Sequence, residues 1–318
     1  MVIVGFSTAE NENEKSLYSG EQRQTAKNIS PYLVDAPTVF VESRKTPLCD
    51  VLPIHRGNQP TDGGNLILSE EERNALLQSE PNAEKYIRRY MMGYEFINNV
   101  PRYCLWLVDC PPNELKAMPR IRERVQAVRQ MRLESTFKPT RDMAETPTLF
   151  REQLNPKRFI AIPKVSSENR RYIPMGYLDD SVIAGDMLFM IADAGIYDFG
   201  VLTSNVHMAW VRTLCGRLKS DYRYSKDVVY NNFPWPTPTD KQKAKIGQTA
   251  QSILDARAKF PDASLADLYD ETTMPPELRK AHEANDKAVM AAYGFKASMA
   301  EPEIVAALLE MYQDLTEA

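Results

Sequence analysis

This sequence is poor in the residues from which compact catalytic and metal sites are usually built. Its three histidines, His55, His207 and His282, are far apart and lack the spacing of metal ligands. Its four cysteines are scattered. Only Cys104 and Cys110 are near neighbours, at the wrong spacing for a zinc knuckle, so Cys49, Cys104, Cys110 and Cys215 read as reduced thiols of a cytosolic protein. Glycine is sparse, at 13 of 318 residues, and the pair Gly63-Gly64 is not followed by a phosphate-loop lysine, which excludes a P-loop. No apolar run approaches membrane-spanning length. The start, MVIVGFSTAENENEK, has neither a basic leader nor a cleavage site, so it does not read as a signal peptide. Nowhere does a nucleophile stand beside a base.

What is present is enough apolar residue, 43%, to build real cores, in a length that suggests two domains with room for part of a third. The net charge of −4 hides an uneven distribution: residues 237–318 carry 9 basic and 14 acidic side chains, whereas residues 141–236 carry 12 and 11. Basic clusters run from Lys116 to Lys138, Lys164 to Arg171 and Arg212 to Lys226. Local sign matters more than the sum, because fields decay over about 8–10 Å at physiological salt.

Along the chain, Val2 to Phe6 reads as a buried strand, Glu10 to Lys27 as a polar loop and Thr38 to Val41 as a short strand. Ser69 with Glu72 forms a capping box opening a helix. Glu84 to Met92 reads as a helix, Arg102 to Val108 as a strand and Asn113 to Glu134 as a helix with a restart at Pro119, its arginines largely on the solvent side. Phe159–Val165 and Tyr172–Leu178 flank a cationic tip and predict a hairpin, and Asp186 to Ile191 reads as a further strand. After Pro236, PWPTPTDKQK reads as a linker to a helical region with helices over 241–260, 276–293 and 301–315. His282 falls on the surface of the second of these.

The most informative stretch is YDFGVLTSNVHMAWVRTLCGRLKSDYRYSKDVVYNNFPW, residues 197–235. An apolar run, Phe199 to Leu202, reads as a strand that turns through Thr203-Ser204-Asn205 into a helix ending at Gly216. A segment alternating cations and tyrosines follows. Such a turn backed by positive charge suits the binding of a polyanion. Asp109-Cys110-Pro111-Pro112 invites comparison with the Asp/Asn-Pro-Pro-Tyr loop that stacks a flipped base, but a cysteine intervenes and Asn113 replaces the ring, so it reads as a strand-to-helix turn.

The runs VESRKTPLCDVLP, EKYIRRYM, RYCLWLVDCPPNELKAMP, KVSSENRRYIPMGYL and above all SNVHMAWVRTLCGRLKSDYRYSKDVVYNNFPWP resemble the C-terminal part of MmeI-like restriction-modification proteins. The resemblance implies an α+β fold: residues 1–45 as the end of an upstream methyltransferase domain and connector, residues 46–236 as a mixed, strand-rich DNA target-recognition domain with helical insertions, and residues 237–318 as a small all-α domain. It implies a cytoplasmic module without catalytic residues or metal. This module reads double-stranded DNA for an adenine-specific methyltransferase domain of the same polypeptide, and S-adenosylmethionine is held in that upstream domain. It places base-reading pairs at Thr203 and Asn205, at Arg171 and His207, and at Thr148 and Arg170. Arg217, Lys219, Arg223 and Lys226 are expected to hold phosphates. Two rivals follow from the residues alone. One is an interaction scaffold whose basic segments pack on neighbouring domains; the other is an independent enzyme, disfavoured because no catalytic constellation is visible.

Overall fold

In the computed structural model, residues 15–19 and 21–317 are described; the strand expected at Val2 to Phe6 lies outside them. In the described part of the polar segment expected as a loop, β1 (Lys15–Ser19) pairs with β2 (Gln22–Ala26) instead. Thr38 to Val41 forms no strand. It is part of an extended strap running to β3 (Ile54–Arg56), and the strap is tied down by side chains from far along the chain. Asn232 Nδ2 donates to the carbonyl of Glu42 at 2.8 Å, Asn231 Nδ2 to Arg44 at 2.7 Å and the Tyr230 hydroxyl to Leu52 at 2.6 Å. This is why two successive asparagines are buried: each supplies donors to backbone that belongs to no sheet.

A first small sheet is built from β4 (Ile67–Leu68), β5 (Ile87–Met91) and β6 (Tyr103–Leu105). The expected capping box opens α1 (Glu70–Ser79), with the Ser69 hydroxyl accepting from Glu72 N–H and the Glu72 carboxylate accepting from Ser69 N–H. The helix expected over Glu84 to Met92 does not form. A 3₁₀ segment, Pro81–Tyr86, gives way to β5, whose Ile87, Tyr90 and Met91 are buried. The expected strand at Arg102 to Val108 shortens to β6. A short helix, α2 (Gly93–Asn98), follows β5. The helix with a proline restart is found as α3 (Pro112–Lys116) and α4 (Pro119–Leu133), whose Ile121, Val125 and Val128 pack under the sheet.

Arg132 corrects the reading of α4's arginines as solvent-facing. It is fully buried and donates to five carbonyls, those of Pro60, Thr61, Met143, Thr146 and Leu149, at 2.8–3.0 Å. All five donors of the guanidinium are thereby used, which is what makes burial of the charge tolerable. The segment it organises carries α5 (Lys138–Asp142) and leads to the second sheet.

That sheet has the order β3, β11 (Leu188–Ala192), β7 (Arg158–Pro163), β9 (Gly176–Asp179), all antiparallel. β10 (Val182–Ala184) leaves it to pair in parallel with β5 of the first sheet. The two sheets meet at Gly57, where a Cβ would lie 2.1 Å from the carbonyl oxygen of Gly185, so only glycine fits. The expected hairpin is realised as β7 on β9, but its β9 arm begins only at Gly176. β8 (Val165–Ser166) turns away to join a third sheet with β13 (Asp221–Arg223) and β12 (Gly216–Leu218).

The run expected as a strand at Phe199 to Leu202 is a helix, α6 (Ile196–Leu202). The Asp198 carboxylate accepts the Gly195 N–H at 2.7 Å and starts it. Phe199, Gly200, Val201 and Leu202 are all buried, and an apolar run buried on every side has no periodicity to tell helix from strand. Ser204 then caps α7 (Asn205–Leu214), its hydroxyl accepting from His207 N–H at 3.3 Å.

The C-terminal helices, α8 (Asp240–Ala258), α9 (Leu265–Leu268), α10 (Pro276–Ala292) and α11 (Glu301–Glu317), share one hydrophobic core with α6, α7 and the second sheet. Nor is PWPT a free linker, since Phe233, Trp235 and their prolines are buried. At the seam a Cβ on Gly200 would meet Ile246 Cγ2 at 2.6 Å and Ala250 Cβ at 3.0 Å, while Asn285 Nδ2 donates to the Gly200 carbonyl at 2.7 Å.

Two substitutions should therefore destabilise the fold far from any binding surface. Gly200→Ala should cost about 1–3 kcal/mol by overpacking the seam. Arg132→Lys, which cannot supply five donors, should cost about 3–5 kcal/mol. Urea denaturation followed by circular dichroism measures both; midpoints equal to wild type would mean that neither contact is rigid.

Candidate nucleic-acid interface

The third sheet lies beyond the end of α7. Its hairpin turns at Lys219 and Ser220, with Lys219 in the left-handed region at φ 56°, and residues 216–220 are all exposed. In the antiparallel register Arg217 faces Tyr222. The guanidinium lies 4.2 Å from the Tyr222 ring centroid, and that ring is buried, so the tyrosine anchors the ribbon and holds the arginine stem. The other face carries Leu218, Asp221 and Arg223. Leu218 is 52% exposed.

Between this hairpin and α2 lies a cavity of about 470 Å³ whose wall includes Tyr94, Ser166, Arg170, Leu218 and Asp221. Arg170 is half-buried here with Asp221 and Asp270 as its charged neighbours, and burial pushes its guanidinium below the usual range.

The expected phosphate-binding cations are thus largely brought together. Arg217, Lys219 and Arg223 stand exposed on one hairpin. Lys226 differs: it is half-buried on a π-helical turn, Lys226–Tyr230, and paired with Asp227 at 2.7 Å.

The expected base-reading residues are dispersed. Thr203 does not project outward; it is buried, and its hydroxyl donates to the Phe199 carbonyl at 2.8 Å. His207 is buried too. Its Nε2 is 3.0 Å from the Tyr224 hydroxyl and its ring meets Phe233 edge-on, so it braces α7 against the residue that follows β13. Asn205 is half-buried, its N–H donating to Asp286 Oδ1 at 2.8 Å. Arg171 is exposed and shares a small cleft with Asn205 and Arg212, whose guanidinium donates to the Arg171 carbonyl. Thr148, half-buried, sits in the segment clasped by Arg132, whereas Arg170 lines the cavity beside α2.

His282 corrects another expectation. It is buried, stacked on Tyr172 at 4.1 Å between ring centroids, with Nε2 2.7 Å from the Tyr269 hydroxyl. Tyr172 in turn donates to Asp286 Oδ2 at 2.6 Å. Nothing in an amphipathic pattern separates such a histidine from a surface one.

The described elements form an α+β body presenting a cationic β-ribbon, backed by a helical tail. The chain belongs to the MmeI family, matching the family's target recognition domain over residues 35–237 and its C-terminal domain over residues 238–318. It is 40% identical over 318 residues to DNA methyltransferase A of Bacillus subtilis (strain 168), covering 100% of this chain and 36% of that protein. It is also similar to a solved structure of the type IIL restriction-modification enzyme MmeI in complex with DNA, with a TM-score of 0.92 and 43% identity, over 97% of this chain and 42% of that one. The chain therefore spans little more than a third of its curated relative.

The buried acid and histidines give the fold a defined pH response. Burial raises Asp286 to about 6, so the folded state keeps its proton to higher pH than the unfolded chain, and this group's contribution to stability is lost as pH rises from about 4 to about 6. His207 works in the opposite sense: burial lowers it to about 3, and the unfolded imidazole takes up a proton below about 6.5 while the folded one does not. Burial shifts His282 in the same direction. Acid should therefore destabilise the protein, with Asp286 opposing the loss. Asp286→Asn should steepen the fall in unfolding free energy between about pH 6 and 4 by about 1.4 kcal/mol per pH unit, one proton's worth. Denaturant titrations at successive pH values test this, and parallel curves for the two proteins would refute it.

Proposed function

We propose that this chain reads the base sequence of duplex DNA on behalf of an adenine-specific methyltransferase. The observation that carries the reading is the β12–β13 hairpin, with Arg217, Lys219 and Arg223 exposed on a tyrosine-anchored ribbon, in a chain closely similar to MmeI in its DNA complex. A two-stranded ribbon fits the major groove, and cations along its edges meet the backbone on either side. In this arrangement Arg217 and Arg223 position the ribbon on phosphates, and Lys226, already paired with Asp227, contributes less. The exposed turn, Lys219 and Ser220, is free to approach base edges, with Arg170, half-buried, and Arg171, exposed, in the segment between β8 and β9 nearby.

Direct base contact is assigned here to these groups and to Asn205. Thr203 and His207, being buried, are assigned the task of fixing the start of α7, and Thr148 a lesser part. The methyltransferase domain, and the S-adenosylmethionine it uses, belong in this proposal to the remaining length of the relatives. The division of this chain at 45 and 236, and a cytoplasmic setting, belong to the same reading. Among the described residues no helix is long and apolar enough to cross a membrane.

Fluorescence anisotropy of the chain with a random-sequence duplex pool tests the reading. Affinity should fall steeply between 50 and 200 mM salt, roughly as the number of phosphates neutralised. Arg223→Gln should weaken all sequences alike and reduce the log–log salt slope by about one. The chain alone should transfer no label from S-adenosylmethionine to DNA. Salt-independent binding would favour the scaffold reading, and methyl incorporation would overturn the assignment of chemistry to another domain.

A further inference from the structure

Lys164 is the single residue between β7 and β8, at the point where the second sheet hands over to the third. Its N–H donates to the Met187 carbonyl at 3.0 Å and its carbonyl accepts from Tyr224 N–H at 2.8 Å, so its backbone is held from both sides. The ammonium lies 4.7 Å from the centroid of the Phe189 ring. Arg56 is the register partner of Phe189 across β3 and β11, and Arg223 is the partner of Val165 across β13 and β8. Three cations, two on separate strands and one at a strand junction, therefore lie close enough to act on one another.

The acids nearby leave Lys164 itself without an ion pair. Asp186 is committed to Arg56 at 2.5 Å, and the Glu152 carboxylate accepts from Gln59 N–H at 3.0 Å. Among the described residues the Lys164 ammonium has no carboxylate within ion-pairing distance.

We propose that Lys164, flanked by Arg56 and Arg223, is the centre of a seat for one backbone phosphodiester of bound nucleic acid. This rests on the DNA-reading function above and adds to it a residue that lies outside the exposed hairpin. Lys164 stands over an aromatic face with two like charges in its field and no acid paired to it, and a phosphate oxygen can satisfy both an ammonium and a guanidinium. The electrostatics agree with the geometry. Burial first, then Arg56 and Arg223, lower Lys164 to about 8, with Asp186 and Glu152 opposing. A phosphate in the seat would raise it again, so binding above about pH 8 must take up a proton, and affinity must fall as pH rises further, by up to about tenfold per pH unit.

The test uses the 318-residue chain with a labelled random-sequence duplex pool, titrated from 50 to 200 mM salt and from pH 7 to 9. Lys164→Met keeps the stem over Phe189 and removes the charge. Its log–log salt slope should be smaller than that of wild type by about one, with binding weakened equally on all sequences. Lys164→Arg should keep the slope and lose the pH dependence between 8 and 9. If Lys164→Met matches wild type in slope while wild type binds with the expected salt dependence, the seat is refuted and the DNA-reading function stands. If wild type shows no salt-dependent binding, that function fails and the seat with it. Should Lys164→Met not fold, Lys164→Arg decides alone, and a pH profile unchanged from wild type refutes the seat.

Discussion

One buried carboxylate ties α7, which leads into the cationic hairpin, to the rest of the molecule. Asp286, on α10, accepts the Asn205 N–H at the first turn of α7 and the Tyr172 hydroxyl from the segment before β9. The start of a helix leaves its N–H groups unpaired, and a carboxylate placed there is favoured both by hydrogen bonding and by the helix dipole. Here the capping oxygen comes from a helix some eighty residues away, so the tail and the recognition domain cannot separate without leaving both a buried acid and a helix end unsatisfied. Gly200, Asn285 and Thr249 extend the same seam by hydrogen bonding around a contact too close for any side chain. The consequence is that α7, whose far end leads directly into the cationic hairpin, is fixed in direction at its start.

Elsewhere in the chain the same device recurs. Long polar side chains reach across the sequence to satisfy backbone that no sheet or helix supports. Arg132 does so for the segments around Pro60 and Thr146, and Asn231 and Asn232 do so for the strap before β3. Loops held in this way can be irregular and still rigid. Rigidity matters for the proposed DNA-reading surface, because every loose contact adds ordering entropy to binding. His207 belongs with these groups. Its ring, between Tyr224 and Phe233, keeps the base of the hairpin against α7.

The charge distribution fits the division of labour. The protein is acidic as a whole, yet the exposed hairpin carries three cations, while the helical tail, with its excess of acids, packs on α6 and α7. With screening over about 8–10 Å, an acidic tail and a basic ribbon can coexist on one chain without cancelling. Family membership agrees with this picture: the target recognition match ends at residue 237, where the acidic helices begin.

Much of this protein was legible from its residues. The capping box at Ser69, the proline restart of α4, the helical tail, the alternation of cations and tyrosines after Gly216 and the family itself all rest on local chemistry or on contiguous motifs, which a linear reading captures. Tertiary structure decided the rest. Whether Phe199 to Leu202 became a strand or a helix depended on burial against α8, because an apolar run surrounded on all sides carries no period. Whether Arg132, His207 and His282 were surface groups or buried struts depended on partners far away in the chain. Thr203, at an inviting turn, was turned inward by a carbonyl four residues before it. Sequence sets propensity and pattern over a few turns. The side on which a polar group ends up is settled by which distant backbone atoms would otherwise be left without a hydrogen bond.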